Sequence, residues 1–230
     1  MTLVSKRGRG KWLVFSGMVL LLCFMLMWLF LFYQKRTPQE KIFPSCVRIA
    51  GSSYYGNGTI LKKKDDMIVI VTAAHVINNN EKLKIYFYTG KSTDVIDKIR
   101  ISEKHDVAFL TINGNELDQN TFQSIRAAKT RISGLNCLQQ EEPIAYGYLD
   151  ENLIARLRKG RLGNKEWYLE EFQEKVLYNY CKADKGMSGC GTFDSRGNYI
   201  GMLLGGTKED ESVSLPYKTI ASEYKTITPE

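Results

Sequence analysis

Val71-Thr72-Ala73-Ala74-His75-Val76, read against Lys185-Gly186-Met187-Ser188-Gly189-Cys190-Gly191 far downstream, decides how this chain is to be understood. The chain has two histidines, and the second precedes an aspartate in His105-Asp106-Val107-Ala108-Phe109-Leu110. His75, Asp106 and Ser188 therefore occur in the order base, acid, nucleophile, each in a local setting suited to nucleophilic acyl transfer. An α/β-hydrolase runs Ser, Asp, His and needs a histidine after its serine. No histidine follows residue 105, so that arrangement is excluded.

Working outward, the flanking sequence is rich in strand signals. Met67 to Val71 is a short apolar run of the kind that forms a fully buried strand. Leu83, Ile85 and Phe87 alternate with Lys84 and Tyr86, the period of a half-buried strand. Val107 to Ile112, Ile144 to Gly147, Val176 to Tyr180 and Tyr199 to Leu204 are further strands by the same reading. Turn residues separate them at Tyr55-Gly56-Asn57-Gly58, Asn113-Gly114-Asn115 and Asp194-Ser195-Arg196-Gly197-Asn198. Many short strands with such turns predict an all-β barrel or sandwich.

The formal charge of +7 first suggests nucleic acid, but its distribution argues otherwise. Residues 1–36 carry six basic side chains and no acidic ones, while the remaining 26 basic and 25 acidic residues nearly cancel. No basic stripe favours phosphate binding, and no nucleic-acid partner is expected. The basic residues instead flank Trp12 to Tyr33, 22 residues without a charge. As a helix that stretch spans about 33 Å, enough for the roughly 30 Å hydrocarbon core of a bilayer. A cleaved signal peptide is the other reading, but its apolar region is shorter and a small-residue cleavage motif follows it. Residues 12–33 are thus expected to be an uncleaved anchor, with 1–11 as a basic cytoplasmic N-terminus. Four basic residues before the span and two after it place the rest of the chain on the extracytoplasmic side. Gln34 to Pro44 is polar and carries Pro38 and Pro44, so 34–45 reads as a linker before a domain over 46–230.

Four cysteines, Cys46, Cys137, Cys181 and Cys190, follow the span, and their pairing is open. A Cys181–Cys190 bridge would staple the Ser188 loop; buried free thiols are the alternative.

Three segments give the chain a recognisable likeness: Gly56-Asn57-Gly58-Thr59-Ile60-Leu61 leading into Thr72-Ala73-Ala74-His75, Asp106-Val107-Ala108-Phe109-Leu110, and Gly186-Met187-Ser188-Gly189 followed by Gly197-Asn198-Tyr199-Ile200-Gly201. From about Cys46 to Tyr224 the chain resembles the chymotrypsin-like serine proteases of the PA clan, especially compact HtrA-type trypsin-like peptidases without a PDZ domain. The resemblance implies two antiparallel six-stranded β-barrels. The first ends near Ile112, the second runs from about Arg131 to Pro216, and Lys218 to Tyr224 forms a closing helix. Glu116 to Lys129 has no place assigned by this reading.

The resemblance also implies a serine endopeptidase acting on peptide or protein substrates, with no metal or cofactor. Serine is a poor nucleophile near neutral pH, so His75 serves as its base and Asp106 orients the imidazole. Backbone N–H groups of Gly186 and Ser188 form the oxyanion hole. Taken singly, Ser188 reads as a turn serine, His75 as a core histidine and Asp106 as a turn cap; in family order they read as a triad. A non-catalytic peptide-binding module on the same fold is the rival. Neighbours along a strand face opposite ways, so His105 is not expected to pair with Asp106 and is assigned to surface or packing.

Leu204, Gly205 and Gly206 are expected to pair with an extended substrate. Lys182, six residues before Ser188, corresponds to the base of the specificity pocket. It either attracts acidic side chains there or points to solvent. Met187 stands where digestive trypsins have the aspartate that binds a newly freed N-terminus, so no activation by N-terminal cleavage is expected.

Overall fold

The computed structural model describes residues 18–28, 37–78, 80–130, 140–170, 173–208 and 210–228. The expected span at 12–33 is described only over 18–28, which is helical with exposed side chains. Trp12 and Tyr33 at its ends, Cys137, and the expected start of the second barrel at Arg131 lie outside the described residues. Among the described residues no helix is long and apolar enough to cross a membrane.

Pro38–Glu230 forms one compact unit. Its first half is a sheet of seven antiparallel strands: β1 (Cys46–Ala50), β2 (Tyr55–Lys64), β3 (Met67–Thr72), β4 (Lys84–Phe87), β5 (Ser92–Thr93), β6 (Lys98–Ile101) and β7 (Ala108–Asn113). They lie in the order β5-β4-β1-β2-β3-β7-β6. The second half is a closed barrel of six: β8 (Pro143–Leu149), β9 (Ala155–Leu169), β10 (Glu174–Tyr180), β11 (Gly191–Asp194), β12 (Tyr199–Lys208) and β13 (Glu211–Pro216), in the order β10-β13-β12-β11-β8-β9.

The molecule is therefore mostly β, as expected, but the first barrel is a half-barrel of seven strands rather than a closed one of six. Its edges are β5, only two residues long, and β6, whose residues are largely exposed. Such short edges offer few ladder groups for closure.

The alternation expected at 83–87 is observed, with Ile85 and Phe87 buried and Lys84 exposed. Tyr55 to Gly58, expected as a turn, begins β2 instead. The two glycines there serve close approach, not reversal. A Cβ on Gly56 would lie 2.6 Å from a Val76 methyl and 2.9 Å from the Ser188 carbonyl oxygen. One on Gly58 would lie 2.9 Å from the Val71 carbonyl oxygen. The turn at 194–198 forms as read: Gly197 has a positive φ, and the Asp194 carboxylate accepts from Arg196 N and Asn198 N.

The linker expected over 34–45 is folded from residue 38 onward. Helix α1 (Pro38–Ile42) runs into a 3₁₀ turn, Phe43–Ser45. Both prolines sit in opening turns, where no backbone N–H is needed, so they begin these elements instead of breaking them. Ile42 is fully buried, and a Cβ on Gly147 would meet its side chain at 2.4 Å. Helix α2 (Ala74–Ile77) follows β3, and α3 (Gln119–Ser124) occupies the stretch assigned to neither barrel, N-capped by Asp118.

The closing helix α4 spans Tyr217–Ile227, slightly longer than expected. It follows the second barrel but reaches the first: Tyr224 packs edge-on to Phe109 of β7 at 5.1 Å, while Tyr217 packs on Tyr199 at 5.6 Å. One apolar core includes Ile49, Ile70, Phe109, Tyr199 and Leu215. A second, smaller cluster holds Tyr146, Leu177, Cys181, Met187 and Cys190.

If residues 38–45 belong to this core, Ile42→Ala should cost about 2–5 kcal/mol in equilibrium denaturation, as for other large-to-small core changes. A linker position would change stability by no more than about 0.5 kcal/mol.

Candidate active site

His75 lies on α2, the single turn of helix that follows the buried strand β3. Buried Ala73, Ala74, Val76 and Ile77 pin this turn, leaving the imidazole about half exposed. Asp106 sits at the end of the loop before β7, and β7 pairs with β3 along its whole length from Met67↔Asn113 to Thr72↔Ala108. That register carries the aspartate to the histidine. The imidazole Nδ1 lies 2.6 Å from Asp106 Oδ2, and the backbone N–H of His75 donates to Oδ1 at 2.9 Å. Partial burial pushes the Asp106 carboxyl up. The hydrogen bond and charge of the imidazole, with the backbone N–H groups of His75 and Ala74, outweigh it and hold the group below the usual carboxylate range.

The serine turn is set against the same corner from the other barrel. Gly186 and Gly189 have φ of +88° and +84°, conformations that favour glycine. A Cβ on Gly189 would lie 2.2 Å from Asn57 O and 3.1 Å from the backbone nitrogen of Ala73, two residues before His75. The Ser188 hydroxyl donates to Leu204 O at 3.3 Å. Among the described residues none is hydrogen-bonded to the His75 Nε2.

Asn57 is the site residue that reading the sequence missed. It is fully buried and links the two halves. Its side-chain amide donates to Gly186 O at 2.8 Å and Leu149 O at 3.3 Å, and its Oδ1 accepts from Leu149 N at 2.8 Å. Its backbone N–H donates to Ser188 O at 2.8 Å. The signal was an asparagine between two glycines, which looks like a turn. An asparagine is uncommon in a buried strand, and that oddity could have marked it.

Gly186 O is tied to Asn57, Met187 O accepts from Cys190 N and Ser188 O from Asn57 N, so the carbonyls of the serine and of the two residues before it are all engaged within the protein. No described group accepts from the backbone N–H of Gly186 or Ser188. Met187 is 2 % exposed, and its thioether accepts from Asp184 N at 3.2 Å, so apolar burial holds the loop where trypsins use an ion pair.

Lys182 points to solvent. Its ammonium lies 3.8 Å from Asp184, which is also paired with Arg158, so its charge is partnered at the surface. Leu204 is buried with its carbonyl toward Ser188, and a Cβ on Gly205 would find no atom within 4 Å. Beyond Leu203, which pairs with Gly189 and Cys190, β12 keeps β13 on one edge, while its pairing with β11 on the other ends at Met202.

Cys46, Cys181 and Cys190 are free and buried, so the Cys181–Cys190 bridge is not formed. Burial pushes Cys46 and Cys190 well up and Cys181 to about 11, which leaves them protonated and unreactive. No cluster of metal-ligating side chains occurs among the described residues.

A family model described as trypsin-like peptidase domain matches residues 56–202. Among solved structures, the chain is similar to the HtrA-type protease AlgW with tripeptide at 16% identity and a TM-score of 0.68, covering 83% of this chain and 62% of that one. A serine-to-alanine variant of AlgW with tripeptide gives 14% identity and a TM-score of 0.72 over 84% and 63%. Rv3671c from M. tuberculosis H37Rv, as the inactive form of a serine-to-alanine mutant, gives 14% and 0.66 over 84% and 91%. The chain thus spans about three-fifths of the AlgW chains it matches. No curated protein matches it in sequence.

The lowered Asp106 carboxyl makes a pH prediction. A group depressed on folding adds stability above its unfolded value, and that stability is lost as pH falls through the folded one. The stability advantage of the native protein over Asp106→Asn should therefore shrink as pH drops from neutrality into the acid range. An advantage independent of pH in urea titrations would contradict it.

Proposed function

We propose that this chain, which belongs to the trypsin-like peptidase family, is a serine endopeptidase acting through His75, Asp106 and Ser188. The observation that carries the reading is the His75–Asp106 bond, 2.6 Å long, facing a serine turn set against Ala73 from the opposite barrel. In this reading the Ser188 hydroxyl leaves Leu204 O and turns to the imidazole when substrate binds. Catalytic hydrogen bonds commonly tighten only when substrate is bound.

His75 then takes the Ser188 proton as the hydroxyl attacks the scissile carbonyl, and Asp106, kept ionised, stabilises the imidazolium. The oxygen that gains negative charge is held by the N–H groups of Gly186 and Ser188, where losing one donor typically costs about 3–4 kcal/mol. His75 returns the proton to the departing amine, and water hydrolyses the acyl-enzyme by the same steps. The substrate backbone pairs along Leu204, Gly205 and Gly206, where β12 is paired with β13 on one edge and β11 has already ended on the other. With the Lys182 charge partnered at the surface, acidic side chains gain no special attraction.

A fluorophosphonate probe should label Ser188, and Ser188→Ala should lower peptide hydrolysis by roughly 10⁴-fold or more. Native protein that takes no label would favour the peptide-binding module. Hydrolysis should fall on acidification, because a protonated imidazole cannot act as base. A rate flat from about pH 4 to 8 would count against His75 in that role.

Residues 12–33 anchor the enzyme in a membrane, with the basic N-terminus cytoplasmic and the peptidase domain outside. The support is the uncharged 22-residue stretch, its basic flanks, and the exposed apolar side chains of the helix over 18–28. The full chain should stay with membranes through alkaline carbonate washing and leave them only with detergent. Release by carbonate would overturn the anchor.

A further inference from the structure

The residue beside Asp106 holds a second cluster of titratable groups. His105 was expected at the surface or in packing, facing away from Asp106 because both would lie on a strand. The segment is instead a bent loop: Ser102 N donates to Val107 O at 3.0 Å and Val107 N to His105 O at 2.7 Å. The loop aims the His105 imidazole away from the active site, between two glutamates. Nδ1 lies 2.8 Å from Glu174 Oε1, on the first residue of β10, and Nε2 lies 3.9 Å from Glu223 Oε2, on α4. These carboxylates are 6% and 8% exposed.

Ser102 closes the ring, donating to Glu223 Oε1 at 2.7 Å while its oxygen accepts from Lys104 N and His105 N at 3.1 and 3.0 Å. Burial pushes the Glu174 carboxyl up, opposed by the hydrogen bond and charge of His105 and by the backbone N–H of Asp106, which faces the same carboxylate. Three separate elements thus meet at one imidazole: the Asp106 loop, a strand of the second barrel and the closing helix.

We propose that His105, Glu174 and Glu223, with Ser102, form a hydrogen-bonded clasp that seats the Asp106 loop on the second barrel, making His105 and Glu174 positioning residues for the His75–Asp106 pair. The proposal rests on the triad reading. Removing the imidazole strips the nearly buried Glu174 of its side-chain partner and leaves Glu223 held by Ser102 alone, and the loop beside Asp106 must shift to hydrate them. A displacement of about 1 Å at a catalytic group can cost 10²-fold in rate.

The test is the rate of fluorophosphonate labelling of the detergent-solubilised full chain at saturating probe. His105→Ala and Glu174→Ala should each slow labelling by about tenfold or more, with the half-saturating probe concentration unchanged. Glu174→Gln, which keeps an oxygen toward Nδ1, should recover most of the rate. A positioning residue acts through its partner, so His105→Ala should add no further loss to Asp106→Asn.

Native protein that takes no label overturns the triad and the clasp with it. Labelled native protein with an undiminished His105→Ala rate, or losses that multiply in the double variant, overturns the clasp alone. If His105→Ala does not fold, the contrast between Glu174→Ala and Glu174→Gln decides: equal rates overturn the clasp, and recovery by Gln alone supports it.

Discussion

The side-chain amide of Asn57 is the interaction on which the rest of this structure depends. It spans the seam between the half-barrel and the closed barrel, exchanging hydrogen bonds with both backbone groups of Leu149 and binding the carbonyl of Gly186. Its own backbone N–H holds the Ser188 carbonyl, and its carbonyl accepts from Thr72 at 2.7 Å. One buried residue therefore fixes how the barrels meet and which way the peptide groups of the serine turn face. Each buried group left without its partner costs about 1–3 kcal/mol, and truncation here would strand the Gly186 carbonyl and both backbone groups of Leu149. The glycines on either side of Asn57 let the Ser188 turn and the β3 backbone come close enough to reach it.

Around that seam, apolar packing and a sulfur contact hold the serine loop. Met187 is packed with Cys181, Cys190 and Tyr146, and its sulfur ties back to Asp184. The second barrel also carries a buried polar chain. Tyr146 Oη pairs with Ser212 Oγ at 2.6 Å, Asn179 donates to Tyr146 and Ser214, and Thr192 pairs with Ser214 at 2.8 Å. A connected network of buried hydrogen bonds rigidifies a barrel because moving one member leaves another unpaired. The same rigidity holds β10 and β13, and through Glu174 it extends to the loop that bears Asp106.

Much of the strand pattern was legible because burial imposes period two, as at Leu83 to Phe87, or a continuous apolar run, as at Met67 to Val71. β9 was not legible. It runs for 15 residues, mostly exposed and rich in charge, and only its partners β8 and β10 make it a strand. The prolines at 38 and 44 misled for a related reason. Proline forbids helix interiors but suits first turns, and which of the two applies depends on the neighbours that bury Ile42.

The identity of the candidate reacting groups could be read directly from the chain: a histidine after an apolar strand, an aspartate before one, and a serine between glycines. Chemistry restricts those roles to a few side chains, and chain order survives without any knowledge of shape. Contacts across the two barrels could not be read that way. Asn57 at the seam and His105 between two glutamates are pairings of residues far apart in sequence. Local pattern carries no record of such partners, because burial and hydrogen-bond satisfaction are settled only when distant strands have packed.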